Sequence, residues 1–289
     1  MSPTLLLLFI LWSPTALAAA DTEPTLIRCT GTSFDVDLYG RIVLADARQN
    51  TVTLLSPGGA VEVTVGGSGW GNEQFDAPAG VWTRNGIDVF VADYHNHRIQ
   101  RFDRNLNFVS SLTTRESGNP DVRFGFPTDV ALSRLGELYV CDSENSRVLK
   151  FNRLNYVERS IGGIAAGKGR LRSPTNVEIG PGDKLYVLDG KNIQVYDGFG
   201  NYLRTIGEGM FADKPVIAAD SRGLVVLDGS GMLFFDEEDR PAGGATPGEL
   251  WEEVKGEVRG LVVSGEDVYL LTEEGIRIVK GVRPAGLTK

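Results

Sequence analysis

The chain has 289 residues, of which 42% are hydrophobic and 23% charged, a balance typical of a globular protein and not of a disordered or fibrous one. Its 36 glycines exceed the usual share of about 7% and indicate many turns, hence many short strands. A formal charge of −9 argues against a nucleic-acid-binding protein, and two Cys and two His exclude a disulfide scaffold and zinc sites of four Cys or three His.

The first twenty residues have the pattern of an export signal. Leu5 to Leu11 is an unbroken apolar run, too short to span a bilayer, and Ala18-Ala19-Ala20 provides a small-residue cleavage site. This predicts a secretory signal peptide at residues 1–20 and a periplasmic or secreted mature chain at residues 21–289. Because Met1 to Thr4 contains no Lys or Arg, an uncleaved membrane anchor stays open as the alternative.

A motif of two apolar or small residues followed by Asp recurs along the rest of the chain. Its spacings of 47, 49, 47, 39 and 44 residues are typical of the blade repeats of propellers. The last copy has Thr in place of Asp. The six copies are Leu44–Asp46, Val91–Asp93, Val140–Asp142, Val187–Asp189, Val226–Asp228 and Leu270–Thr272.

Each unit contains the same series of short strands. The second unit begins with an apolar strand after Pro78 and turns at Asn85-Gly86, and three more strands follow at Asp88 to Ala92, Arg98 to Phe102 and Asn107 to Leu112. Four strands per unit with few helical signals indicate one propeller blade. The predicted fold class is therefore all-β, a six-bladed β-propeller of four-stranded antiparallel blades.

Two of the units resemble NHL repeats. The second contains Phe75-Asp76-Ala77-Pro78 and then Val91-Ala92-Asp93-Tyr94-His95-Asn96-His97-Arg98-Ile99. The third unit repeats this motif as Phe126-Pro127-Thr128-Asp129-Val130 and Val140-Cys141-Asp142-Ser143-Glu144-Asn145-Ser146-Arg147-Val148. Units one and four match in part, and units five and six mainly by spacing. The mature chain thus resembles the NHL-repeat six-bladed propellers of the exported bacterial type.

The last unit is one strand short. After Ile276 to Val279 only ten residues remain, and they include Pro284 and Gly286. Thr25 to Cys29 is a strand-like segment left over at the other end of the mature chain. We expect it to pair as the outer strand of the sixth blade and to close the ring.

The Asp residues of the repeated motif could suggest metal or acid–base chemistry. Asp side chains accept backbone N–H bonds in turns, so we interpret this ring of carboxylates as structural. Arg98 and Arg147 are expected to pair with buried carboxylates and tie the turns together. The carboxylates are Asp46, Asp93, Asp142, Asp189 and Asp228.

His95 and His97 lie two residues apart in the turn of the second unit, where either could serve as a ligand or an acid–base group. The amidating-lyase propellers hold zinc with several histidines from different blades. A third histidine is missing from this chain, which argues against that activity. No catalytic residue is predicted.

A second propeller class offers a metal alternative. Gluconolactonase-like propellers bind calcium with Glu, Asn and Asp around the central channel, and Asp129 and Asn176 begin the inner strands of units three and four. We expect no cofactor, and a calcium site at Asp129 and Asn176 is the alternative. Glu178 stays ambiguous as a third ligand because it lies one pleat away from the face of Asn176.

Two further features are interpreted as structural. Gly66 to Asn72 has the composition of a phosphate loop, but it lacks the Gly-Lys-Ser/Thr ending and is predicted to link two blades. Cys29 and Cys141 fall in blades six and three, too far apart for a disulfide.

Charge is unevenly distributed along the chain. Arg98 to Arg172 contains 13 basic and 8 acidic residues, whereas Ile206 to Gly275 contains 5 basic and 16 acidic ones. The turn after the second strand is also shorter in units four to six, so units two to four should project further. Trp251, in the acidic stretch Glu237 to Gly256, is a second candidate for an exposed contact.

These observations predict an exported, non-enzymatic and monomeric module that binds a protein, peptide or glycan. It would not bind nucleic acid, and after signal cleavage it would not span a membrane. The alternative is a calcium-dependent hydrolase or lactonase with its site at the mouth of the channel. The predicted binding residues are Trp70, Asn72, His95, His97, Arg123, Glu144, Arg170, Arg172 and Lys191.

Overall fold

The computed structural model describes residues 25–211, 215–245 and 257–282. These residues form six four-stranded antiparallel sheets, and two short 3-10 helices at Pro120–Val122 and Pro181–Asp183 are the helical elements assigned within them. The predicted signal peptide at residues 1–20 and the predicted contact at Trp251 lie outside the described residues. No described helix is long and apolar enough to cross a bilayer.

Each sheet is one blade, with its strands in chain order from the inside outward. Blade 1 contains β2 (Ser33–Val36), β3 (Ile42–Asp46), β4 (Thr51–Leu55) and β5 (Val61–Gly66). Blade 2 contains β6 (Pro78–Trp82), β7 (Asp88–Asp93), β8 (Arg98–Asp103) and β9 (Phe108–Leu112). Blade 3 contains β10 (Pro127–Leu132), β11 (Leu138–Asp142), β12 (Arg147–Phe151) and β13 (Val157–Ile161).

The other three blades repeat this order. Blade 4 contains β14 (Pro174–Ile179), β15 (Leu185–Asp189), β16 (Asn192–Tyr196) and β17 (Tyr202–Ile206). Blade 5 contains β18 (Val216–Asp220), β19 (Gly223–Asp228), β20 (Gly231–Phe235) and β21 (Pro241–Ala245). Blade 6 contains β22 (Gly260–Ser264), β23 (Asp267–Leu271), β24 (Ile276–Val279) and, as its outer strand, β1 (Thr25–Ile27).

Neighbouring first strands contact one another around a complete circle, in the order β2, β6, β10, β14, β18, β22 and back to β2. The predicted six-bladed propeller is therefore confirmed. The ring closes as expected, because β1 pairs antiparallel with β24 and places Ile27 opposite Ile276. Ile27 is 6% exposed and packs with Phe34 and Leu44 of blade 1, so the closing strand also contributes to the core.

The second strand of a blade is buried on both faces. β11 and β15 are covered along their whole length, since the sheets of the two neighbouring blades lie against them. Such strands show a continuous apolar run instead of alternation. The outer strand β5 is mostly exposed and alternates Val with polar residues. The hydrophobic core is thus a ring of layers between blades.

The alternation of strand direction gives the propeller two distinct faces. The turns after the second strands and the linkers between blades emerge on one side, called here the linker face. The turns between the first and second strands and between the third and fourth strands emerge on the other, called the hairpin face. The turn on the linker face is shorter in blade 4, at Gly190–Lys191, than in blade 2, at Tyr94–His97, as predicted.

Candidate functional site

A cavity of about 720 Å³ occupies the centre of the ring. All six blades line it with their first strands, and its wall includes the apolar side chains of Phe34, Trp82 and Leu261. Gly190 and Lys191, in the turn between β15 and β16, line it as well, so the cavity reaches the linker face. An apolar cavity with a few placed polar groups has the general form of a ligand site.

Arg84 lies across the opposite end of this cavity. It follows β6, and its guanidinium donates to Asp35 of blade 1, to Glu178 of blade 4 and to the carbonyl of Ala219 in blade 5. The contact with Glu178 is bidentate, at 2.9 and 3.0 Å. These acceptors lie toward the C-terminal ends of their strands, and one side chain therefore connects four blades at the hairpin end of the channel.

Asp129 and Asn176, the alternative calcium ligands, do lie together. Asn176 donates its side-chain amide to the Asp129 carboxylate at 2.6 Å, and the backbone N–H of Val177 donates to the same oxygen at 2.9 Å. In this arrangement Asn176 turns its NH₂ group toward the carboxylate, so the two side chains do not present converging oxygens, which calcium requires. Within the described ranges, no group of three or more His, Cys, Asp or Glu is placed to hold a metal ion.

Burial changes the protonation of these inner carboxylates. It raises the pKa of Glu178 to about 7, although the adjacent Arg84 guanidinium lowers it. It also raises the pKa of Asp129 well above its ordinary value, against the hydrogen bond from Val177. Glu178 points toward the channel and pairs with Arg84, which resolves the ambiguity about its orientation. It serves as a partner for a cation inside the protein.

The carboxylates of the repeated motif anchor the loops of the linker face. Asp93 accepts from the backbone N–H of Asp76 and from the guanidinium of Arg98 at 2.8 Å each. Arg98 donates in turn to the backbone carbonyls of Trp70 and Gln74. One buried pair therefore fixes both the turn of blade 2 and the linker that enters it.

Blade 3 repeats this arrangement. Asp142 accepts from the backbone N–H of Gly125 and from Arg147, which donates to the carbonyls of Asp121 and Arg123. The pairing predicted for Arg98 and Arg147 is confirmed in both blades. The other three carboxylates of the motif also accept backbone N–H bonds. These are Asp46 from Arg48 and Gln49, Asp189 from Arg172 and Ser173, and Asp228 from Ser230.

His97 is an inter-blade link that the sequence analysis did not recognise. It is 8% exposed, and its Nδ1 accepts the backbone N–H of Phe126 at 3.0 Å. Asn50, at the same place in blade 1, accepts the N–H of Ala77 at 2.7 Å. All four of these residues have positive φ, a backbone conformation that is uncommon outside glycine. Alignment of His97 with Asn50 is the signal that could have revealed this role.

The bond from Phe126 requires neutral imidazole, because a protonated Nδ1 could not accept it. Burial lowers the pKa of His97, and the positive charge of Arg115 lowers it further, whereas Glu144 opposes the change. The Glu144 carboxylate lies against Gly125, beside the His97 ring. The predicted residues His97 and Glu144 are thus neighbours, but His97 is buried while Glu144 is exposed.

The other predicted binding residues of blade 2 lie on the linker face. Trp70 is 67% exposed and Asn72 is exposed, both in the linker whose backbone Arg98 holds. His95 is half-exposed and its Nδ1 lies 3.0 Å from Asp76. His95 also contacts the ring of Tyr94, which lies against Phe126. These residues form a fixed surface with exposed side chains.

The basic residues of the prediction fall on the neighbouring blades. Arg123 is exposed, and its Nε donates to the carbonyl of Ser117. Arg170 and Arg172 are exposed in the linker into blade 4, where Asp189 binds the backbone of Arg172. Lys191 is exposed at the rim of the central cavity. These groups lie on blades 3 and 4, on the same face as Trp70 of blade 2.

The chain matches known proteins over part of its length. Residues 124–151 match the family model of the NHL repeat. A stretch of 138 residues is 30% identical to the Protein brain tumor of Drosophila melanogaster, covering 46% of this chain and 13% of that protein. A stretch of 81 residues is 35% identical to the probable peptidyl-alpha-hydroxyglycine alpha-amidating lyase pgal-1 of Caenorhabditis elegans, covering 27% of this chain and 23% of that protein. The chain spans less than a quarter of the length of these curated relatives.

Similarity to solved structures extends over almost the whole chain. A gluconolactonase from Xanthomonas campestris superposes with a TM-score of 0.64 at 15% identity and covers 93% of both chains. At this identity the likeness concerns the fold, since one propeller fold supports many unrelated functions.

Proposed function

We propose that this six-bladed β-propeller, which contains an NHL repeat, is a non-enzymatic binding module for a protein, peptide or glycan. The partner docks on the linker face of blades 2 to 4, and the module acts as a monomer in the periplasm or outside the cell. The export part of this proposal rests on the signal pattern at residues 1–20.

The observation that supports it is the fixed backbone beneath exposed side chains. Arg98 and Arg147 each bind linker carbonyls while paired with a buried carboxylate, so the loops that display Trp70 and Arg123 have little freedom left to lose on binding. Preorganisation of this kind reduces the entropy cost of association. Trp and Arg are also the side chains most enriched at binding hot spots.

The charge of this sector indicates the chemistry of the partner. Arg123, Arg170 and Arg172 are exposed on it, and Lys191 stands at the cavity rim. An anionic or polar partner is the natural complement. Because exposed charges act mainly on the rate of encounter and are screened by salt, association should slow as ionic strength rises.

The alternative, a calcium-dependent hydrolase or lactonase, has weaker support. It relies on Asp129 and Asn176. The Asn176 amide and the Val177 N–H both donate to the Asp129 carboxylate, while Asn176 Oδ1 is buried without a hydrogen-bond partner among the described residues. No observation at the cavity favours this reaction over simple binding.

The test is a capture experiment on extracts from the protein's own source, with the wild-type chain and a Trp70→Ala, Arg123→Glu, Arg170→Glu variant. A matched control carries Leu154→Ala, Arg104→Glu and Arg134→Glu, the same kinds of change on the hairpin face. We expect the linker-face variant to lose the partners that the wild type and the control retain, with all three proteins melting alike. An unchanged partner set would overturn the proposal.

A further inference from the structure

Large apolar side chains are exposed at the tips of hairpin turns on the face opposite the proposed binding sector. They come from four consecutive blades, and each is more than half exposed. Blades 1 and 2 supply Leu38, Tyr39 and Ile87, and blades 3 and 4 supply Leu135, Leu154 and Phe199. Single exposed apolar residues are common on soluble proteins, but six large ones at the turns of one face, from consecutive blades, make this face a candidate interaction surface.

These tips are neighbours across the blade boundaries. A Cβ atom on Gly86 would lie 2.8–2.9 Å from side-chain atoms of Leu38 and Tyr39, so the turn of blade 1 packs directly on the turn that carries Ile87. A cleft of about 220 Å³ between blades 2 and 3 is lined by Gly136 and Arg153, and Leu135 and Leu154 flank it in the chain. The apolar tips therefore form one sector of the hairpin face.

Arginines stand among the apolar tips. Arg134 and Arg153 are exposed on the turns that carry Leu135 and Leu154, and Arg104 is exposed on the other hairpin turn of blade 2. The Nε of Arg153 donates to the carbonyl of Leu135, and Arg104 helps to lower the pKa of the Asp103 carboxyl. The hairpin turns of blades 5 and 6 instead carry acidic residues such as Glu237 and Glu266. The fully exposed charged side chains of the apolar sector are therefore arginines, while Asp103, Asp183 and Asp197 of the same sector are half-buried, so the sector is less acidic than the turns of blades 5 and 6.

The start of the described chain lies at this face too. β1 occupies the fourth-strand position of blade 6, and fourth strands run from the hairpin face to the linker face. Thr25 is therefore at the hairpin face, beside blade 1, and residues 1–24 precede it. In the alternative of an uncleaved anchor, the apolar run Leu5 to Leu11 precedes this point of the chain.

We propose that the hairpin face of blades 1 to 4 docks on the surface of an anionic lipid bilayer. The apolar tips enter the interface between headgroups and acyl chains, and the three arginines bind lipid phosphates. Single apolar tips separated by basic residues suit a bilayer, because interfacial binding depends on buried apolar area plus attraction to anionic lipids. A protein partner would instead favour a continuous groove. Docking in this way leaves the linker face turned to solvent.

A pair of fluorescent probes tests the orientation in the full chain. Leu154→Cys and Ile164→Cys, each in a Cys29→Ser background, place an environment-sensitive dye on opposite faces of blade 3 at side chains that are 75% and 82% exposed. With phosphatidylcholine–phosphatidylglycerol vesicles, the dye at position 154 should shift to the blue and the dye at 164 should not. If neither dye shifted, or if both dyes shifted, the proposal would be overturned. This holds even where residues 1–24 keep the chain on the vesicle.

Charge reversal tests the arginines. Arg104→Glu, Arg134→Glu, Arg153→Glu should weaken binding to these vesicles by about tenfold or more, and the matched linker-face variant Arg115→Glu, Arg123→Glu, Arg170→Glu should bind like wild type. Equal binding by both variants would overturn the assignment. A dimer in sedimentation that Leu154→Ser and Phe199→Ser abolish would also overturn the assignment. The same holds for a protein that binds this face when vesicles are absent.

Discussion

His97 shows how a side chain suited to chemistry serves a structural purpose in a repeat. Its position is occupied by Asn50 in blade 1 and by Ser146 in blade 3, and all three have positive φ. Asn50 and His97 accept a backbone N–H of the next linker, while Ser146 donates to the carbonyl of Arg172. The link needs a hydrogen-bonding side chain at that point, and the identity of the residue is secondary.

This equivalence leads to a prediction for two substitutions. His97→Asn should keep the bond, because the Asn oxygen takes the place of Nδ1, whereas His97→Ala should cost roughly 0.5–2 kcal/mol by leaving the Phe126 N–H without its acceptor. Because the pKa of His97 is lowered in the folded protein, His97 contributes fully to the free energy of unfolding above its ordinary pKa of 6.5. This contribution is lost as the pH falls below that value. Urea unfolding at pH 5 and pH 8 measures both effects.

In His97→Asn, this part of the pH dependence should disappear. If the Asn and Ala variants were equally unstable, or if the Asn variant kept the wild-type pH profile, the link through Nδ1 would not be the function of this residue.

Much of the residue-scale picture could be predicted from the sequence. The pairing of Arg98 and Arg147 with carboxylates followed from their repeated spacing to Asp93 and Asp142. The role of His97 was missed although Asn50 aligns with it, because Asn50, His97 and Ser146 share a positive φ and the capacity to hydrogen-bond but no residue type. The nine binding residues stay a prediction, since exposure and location on one face do not identify a partner.

At the scale of elements, the six blades were predictable because the second strands keep their pattern even where the loops diverge. These strands are buried on both sides, so every position is constrained. The closing strand was predictable for a different reason: blade 6 lacked a strand and the chain offered one. The apolar tips of the hairpin face were missed because each is a single residue in a turn, without a period to reveal it.

The closing strand gives the second prediction. Gly275 has φ +136, and a Cβ atom there would lie 2.1 Å from the carbonyl oxygen of Ile27 and about 3 Å from the backbone of Arg28. Gly275→Val should therefore displace β1 from β24 and expose the core contacts of Ile27. We expect a destabilisation similar to that of deleting residues 21–31, because both variants open the same edge.

Thermal melting of both variants measures the effect, and Gly281→Val is the control, since nothing lies near its Cβ although its φ is also positive. A deletion that melts within a degree or two of the wild type would show that the ring does not depend on this strand.

For the whole molecule, Arg84 joins blades that are distant in the chain. Its counterpart in blade 3 is Arg134, at the same position of the same turn, yet Arg134 is exposed while Arg84 reaches Asp35 and Glu178. The two arginines have matching surroundings in the sequence, so their different roles could not be distinguished there. The difference arises only when the ring closes and brings the carboxylates of blades 1 and 4 to the same end of the channel.

Arg84→Ala would leave Asp35 and Glu178 facing each other without their shared cation. Near pH 8, above the raised pKa of Glu178, the loss should be roughly 2–4 kcal/mol, somewhat below that of a fully buried pair because a quarter of the arginine side chain is exposed. Near pH 5 the loss should be smaller. The pKa of Glu178 is raised to about 7, so this group is already protonated and contributes little to the pairing.

The sign of the wild-type pH dependence follows from the same pKa. A carboxyl with a raised pKa binds its proton more tightly in the folded state, so its contribution to stability declines as the pH rises from its ordinary value of 4.5 to about 7. Glu178→Gln should remove that decline. Arg84→Ala should extend it to higher pH and enlarge it in total, because the cation that opposes the raised pKa is gone. Denaturant unfolding at several pH values measures the pH dependence of stability for the wild type and both variants. Arg134→Ala is the control for an exposed arginine and should change the free energy of unfolding by about 0.5 kcal/mol or less. If Arg84→Ala lost the same free energy of unfolding at pH 5 and pH 8, the charge of Glu178 would not contribute to the pairing, and the guanidinium would stabilise the ring through Asp35, the Ala219 carbonyl and packing.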